Sequence, residues 1–164
     1  MTRQSRRRFL ASLGTVAGGP TVLRPQGYEG SEIFGAWLTG ENEVPPVETD
    51  AFGVAGFRLA PDESRVDYWL VVGDIENVEQ AHVHKGPPDL NGNVVAYLFG
   101  PARRPVTKTG LLASGTLTDE DAIWPLTDAA GLAEQLRAEN VYVNVHTAEH
   151  PAGEIRGQIR SLSG

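Results

Sequence analysis

All four histidines of this 164-residue chain fall in two short segments. The first is Ala81-His82-Val83-His84-Lys85-Gly86; the second runs from Val141 through Tyr142, Asn144, His146 and His150 to Gly153. Residues two apart on a strand project from one face, so His82 and His84 present two neutral imidazoles together. Such a pair suits one copper or zinc ion. Over Val141–His146 the same alternation puts Tyr142, Asn144 and His146 on one face, with His150 in the turn that follows. The candidate metal ligands are therefore His82, His84, His146 and His150. Tyr142, Asn144, Glu149 and Glu154 stand close enough in sequence to ligate or to orient a ring. The competing reading is structural: the same rings hydrogen-bond backbone and carboxylate groups and pin loops at one end of the fold.

A metal site requires the two segments to meet. If the strands Val78–His84 and Val141–His146 run parallel or lie side by side in one sheet, their C-terminal ends lie together, and His82, His84 and His146 come near one another at one end of the sandwich. His150 then sits in the adjacent loop. A one-residue slip in register would turn His146 to the opposite face.

The elements that must position these residues read as β structure. Ile33–Leu38 is an apolar run, and Phe52–Leu59 carries two glycines, as a bulge or a close backbone approach requires. Ser64–Val72 alternates, with Val66, Tyr68, Leu70 and Val72 on one face. Val78–His84, Val94–Phe99 and Leu111–Leu117 follow, with a turn at Asn91-Gly92. Thr118-Asp119-Glu120-Asp121 is expected to open a short helical turn ended by Pro125. One helix is expected between Asp128 and Asn140, with Asp128 as N-cap and Leu132 and Leu136 facing the core. Val141–His146 and Glu154–Arg160 close the chain. In the last strand Ile155 and Ile159 face in, while Glu154, Arg156, Gln158 and Arg160 alternate outward; the alternative for Arg156 is a pairing with a buried carboxylate from the Glu41–Glu43 loop. The expected fold is all-β: a Greek-key-like sandwich or barrel of about seven to eight strands with one short helix in the C-terminal third.

Composition bounds the setting. Ser5-Arg6-Arg7-Arg8-Phe9-Leu10 matches the twin-arginine export pattern. The apolar stretch behind it, Leu10 to Val22, is shorter than the roughly 20 residues of a membrane span. Residues 1–27 are therefore expected to be a signal peptide with a flexible linker, and 28–164 a single domain. Residues 1–27 hold five of the 14 basic residues and none of the 21 acidic ones, which leaves a formal charge of −12 on the remainder. A surface this acidic, with Lys85 and Lys108 as its only lysines, repels nucleic acid and suits high salt. No cysteine is present, so disulfides, thiol nucleophiles and thiolate metal sites are excluded. No nucleophile elbow, phosphate loop or dinucleotide fingerprint occurs.

Several of these segments together resemble the CHRD domain, a module of chordin and of many microbial exported proteins. Leu38-Thr39-Gly40-Glu41-Asn42-Glu43-Val44-Pro45-Pro46-Val47 is similar to the family's opening L-x-G-x-x-E-V-P-P-V signature. The likeness continues through Gly53, Gly56, the Val66–Val72 strand and Ala81–Gly86. It ends in the block from Tyr142 to Ile159. The resemblance implies a β-rich extracellular module with no settled enzymatic activity and no catalytic residues to carry over. A looser likeness to copper/zinc superoxide dismutases lies in the H-V-H pair on a strand. The expected function is a non-enzymatic module, exported to the periplasm, cell surface or medium, that binds an unknown protein or cell-surface ligand. The alternative is a copper- or zinc-binding protein, for metal handling or dismutase-like redox chemistry, built on the two histidine clusters.

Overall fold

The computed structural model describes residues 29–162; the twin-arginine segment, and with it the expected division at residue 27, lies outside the described residues. Eight strands and one helix follow in the order β1 (Glu32–Thr39), β2 (Phe52–Leu59), β3 (Val66–Lys85), β4 (Asn93–Phe99), β5 (Val106–Leu117), α1 (Ala129–Arg137), β6 (Val141–Thr147), β7 (Ile155–Gln158) and β8 (Arg160–Ser161). Every pairing is antiparallel. Strands β1, β2, β3, β6 and β7 each pair with the next and close a barrel, as β7 returns to β1. Strands β4 and β5 flank β3, and β8 extends β1. Closure removes the unpaired edges of the five barrel strands, while β4, β5 and β8 each pair with one strand only.

Period-two alternation drives this arrangement. Phe34, Ala36 and Leu38 of β1, Ala55, Phe57 and Leu59 of β2, and Leu70 and Val72 of β3 all enter one apolar core. Val83, Val143, Val145 and Ile155 continue that core through the strands that carry the histidines. Helix α1 covers one end. Asp128 Oδ1 accepts from Gly131 N–H at 2.7 Å as its N-cap, and Leu132 and Leu136 are buried against the sheet.

Two expectations change. The runs Ser64–Val72 and Val78–His84 are parts of one 20-residue strand. Its register shifts between Val72 and Val78, where Asp74 and Asn77 adopt positive φ, so the chain bends there instead of turning back. The N-terminal half pairs with β2 and β5, the C-terminal half with β4 and β6. Glu154 and Arg156 do not face solvent: they are 7% and 1% exposed. The segments 40–51 and 86–92 fold over that face of β6 and β7 and bury it. No helix among the described residues is long and apolar enough to cross a membrane.

Candidate metal centre

The register of β3 against β6 decides where the histidines go. His82 lies opposite Asn144, His84 opposite Tyr142, and Gln80 opposite His146. The strands are neighbours but antiparallel, so the clusters meet across the middle of the pair and not at a shared C-terminal end. All these side chains lie on the face opposite the apolar core, because Ala81, Val83, Val143 and Val145 occupy the other one. His82 Nδ1 stands 3.0 Å from His146 Nε2. The ring centroids of His82 and His84 are 5.4 Å apart, those of His82 and His146 4.7 Å, and those of His84 and His146 5.9 Å. One ring nitrogen from each of the three lies within 4.8 Å of the other two.

Hydrogen bonds assign the ring protons. A backbone carbonyl only accepts, so the 3.0 Å contact of His84 Nδ1 with Gly92 O and the 2.9 Å contact of His146 Nδ1 with Pro151 O place an N–H on each Nδ1. Their Nε2 atoms then carry bare lone pairs. His82 Nδ1 must donate to His146 Nε2, which leaves its own Nε2 bare. The Nε2 atoms of His82 and His84 and the Oδ1 of Asn144 are buried without a hydrogen-bond partner among the described residues. Three orphan acceptors on one buried face are uncommon in a folded protein.

Burial also sets the charge of the rings. Desolvation, together with the neighbouring His146 and His84, pushes the His82 imidazolium down to about 3. Burial brings His84 to about 4 despite its bond to the Gly92 carbonyl, and lowers His146 as well. All three are neutral at physiological pH, the state in which imidazole ligates a metal.

A polar shell holds the rings in place. Tyr142 stacks on His84 with centroids 4.9 Å apart, and its hydroxyl accepts from Gly92 N–H. The Arg156 guanidinium lies 3.5 Å from the centre of the same phenol ring and donates to Asn91 Oδ1 and the carbonyls of Pro87 and Leu90. Asn144 Nδ2 donates to the buried carboxylate of Glu43 at 2.6 Å. Desolvation raises the Glu43 carboxyl to about 7, against the opposing charge of Arg156. Gly153, at φ +130°, leaves room for that contact, since a Cβ there would strike both Asn144 and Glu43. Tyr97 sets its ring edge-on to His82, with centroids 4.6 Å apart.

The other expected residues lie elsewhere. His150 is outside the group of three, and its backbone N–H bonds to Thr147 Oγ1. Glu149 accepts from Asn77 on the surface. Glu154 accepts from Thr49 and Thr147, which ties the segment before β2 to β6. Glu43, Tyr97 and the carbonyls of Gly92 and Pro151 were not legible as parts of this site. Only the Glu43 position carried a signal, through its place in the L-x-G-x-x-E motif.

These features define an antiparallel barrel module with a buried, charge-neutral histidine triad. Residues 34–159 match the family model of the CHRD domain, and the chain belongs to that family. No curated protein and no solved structure matches it significantly.

Proposed function

We propose that this CHRD module is an exported protein that holds one copper or zinc ion on His82, His84 and His146. The observation that carries the reading is the convergence of three neutral, buried imidazoles, two of which, His82 and His84, have an Nε2 lone pair with no hydrogen-bond partner among the described residues. A structural triad would end its hydrogen-bond chain on a donor, whereas here His82 Nε2 and His84 Nε2 meet none. Nitrogens about 2.0–2.1 Å from one tetrahedral ion lie roughly 3.3 Å apart. The 3.0 Å separation of His82 Nδ1 and His146 Nε2 is close to that edge. Binding through those two atoms requires the His82 proton to move to Nε2. The carbonyls of Gly92 and Pro151 hold the other two rings in the tautomer that ligation needs. When bound, the ion would supply a cross-link between β3 and β6.

Protein purified without chelators from copper- or zinc-supplemented culture should contain about one equivalent of metal by elemental analysis. His82→Ala should remove it, while His150→Ala should retain it. A folded wild-type protein that takes up neither metal would sink the proposal.

The export part rests on Arg6 and Arg7. Replacing both by lysine should leave the precursor in the cytoplasm, as followed by cell fractionation. Unchanged export of the double variant would show that the pair is not read.

A further inference from the structure

The face of β1, β2, β3 and β5 turned away from the core is apolar where water would favour polar groups. Trp37, Val54, Val71 and Leu111 lie in register across the four strands. They are 59%, 39%, 37% and 52% exposed. Trp69 and Phe52 lie on the same face. A Cβ at Gly56 would come within 2.1 Å of the Trp69 ring, and one at Gly73 within 2.4 Å of the Phe52 ring, so each aromatic lies against its cross-strand glycine. Covering of glycine by a neighbouring aromatic accounts for where those two rings lie. It does not account for Trp37, which stands opposite Val54 and stacks on Phe52 with centroids 6.0 Å apart.

Trp37 and Trp69 both line a groove of about 790 Å³, closed on one side by the segments that carry Glu41 and Asp89. That volume falls within the range of about 300–1,000 Å³ typical of small-molecule sites. The charges around it are unevenly committed. Arg156 is buried and fully engaged with Tyr142, Asn91 and two carbonyls, and Arg160 is paired with Glu139. Glu41 and Asp89 are exposed and have neither an ion pair nor a side-chain hydrogen bond among the described residues. Beyond the groove, the acid excess of the domain draws cations and repels anions.

We propose that this groove binds a small organic cation of the quaternary ammonium type, seated on the faces of Trp37 and Trp69 with Glu41 and Asp89 supplying the countercharge. Indole faces attract such cations through the ring quadrupole, and the methyl groups of the ligand bury against the same rings. A neutral apolar ligand would gain nothing from the two carboxylates. A second copy of the chain would bring an equally acidic surface against this one. None of the three histidines lines the groove, although Glu43 and Arg156 border both sites, and the proposal does not rest on metal binding.

The test uses tryptophan fluorescence in a Trp124→Phe background, since Trp124 is 76% exposed and lies outside the groove. Choline is titrated against its neutral isostere, in which a tert-butyl group replaces the trimethylammonium, with and without chelator. Choline should give saturable quenching, and the isostere should bind at least about tenfold more weakly. Trp37→Ala should weaken choline by a similar factor. Glu41→Gln with Asp89→Asn should weaken choline several-fold and leave the isostere unchanged. Circular dichroism checks the fold of each variant, and the two charge changes lie in exposed segments if the tryptophan variant fails to fold. Equal binding of the isostere or absence of saturation would overturn the proposal. Saturation by a soluble oligosaccharide but not by choline, or a Trp37-dependent dimer that choline leaves intact, would overturn it as well.

Discussion

Metal-free protein should lose stability steeply as pH falls from about 6.5 towards 4.5. His82, His84 and His146 have folded-state values below the ordinary histidine range, with His82 near 3 and His84 near 4. A group whose value is depressed by folding stabilises fully above its unfolded value. That contribution is lost as pH drops through the folded one. Each histidine therefore contributes a slope of up to about 1.4 kcal/mol per pH unit below about 6.5. Glu43 acts in the opposite sense. Its value is raised to about 7, so its contribution is complete below the unfolded value and is lost as pH rises through 7. His82 and His84 against Glu43 leave a limiting net slope of about 1.4 kcal/mol per pH unit between roughly 4.5 and 6.5, and His146 adds to it in the same direction. Urea midpoints at several pH values in the presence of chelator would measure it. A flat profile would mean that the rings are hydrated or charged in the folded state. The profile of a folded His82→Asn variant should be shallower by one histidine's share.

Arg156→Met should cost about 3–5 kcal/mol, the usual penalty for removing one member of a buried charged network. Arg156 is 1% exposed, and its charge acts on the buried Glu43 carboxyl against the rise that desolvation causes. Its removal leaves Asn91 Oδ1 and the carbonyls of Pro87 and Leu90 without their donors, and takes the cation from beside Tyr142. Methionine fills much of the volume, so the loss reports the polar network more than a cavity. Denaturant unfolding measures the change. A loss below about 1 kcal/mol would assign Arg156 no more than the weight of a surface ion pair.

Much of the fold was legible because its rules are local. An apolar run marked β1, alternation marked β6, and Asp128 with the Leu132–Leu136 pair marked α1. The H-x-H spacing put His82 and His84 on one face before any partner strand was known. What escaped depended on contacts between distant segments. Gly73-Asp74-Ile75-Glu76-Asn77 has the composition of a turn, yet Ile75 is buried and β3 runs through it with shifted register. Glu154 and Arg156 have the chemistry of a solvated strand face. They are buried because segments 40–51 and 86–92 close over them, and polarity alternation within one strand carries no record of that cover. The direction of β6 beside β3 was likewise unspecified, since side-chain alternation is the same whichever way the strand runs.

The sequence separation of 64 between His82 and His146 gives the triad a place in the order of folding. A hairpin of β2 with β3 closes a short loop, whereas β6 reaches β3 only after β4, β5 and α1 have been made. Pairings of such long sequence separation carry the larger loop-closure entropy and form late. A nascent chain still short of residue 146 holds only the His82–His84 pair. Whatever the three rings hold together can be captured only once β6 has paired with β3, so occupancy of the triad would report that late, long-range pairing and could not precede it.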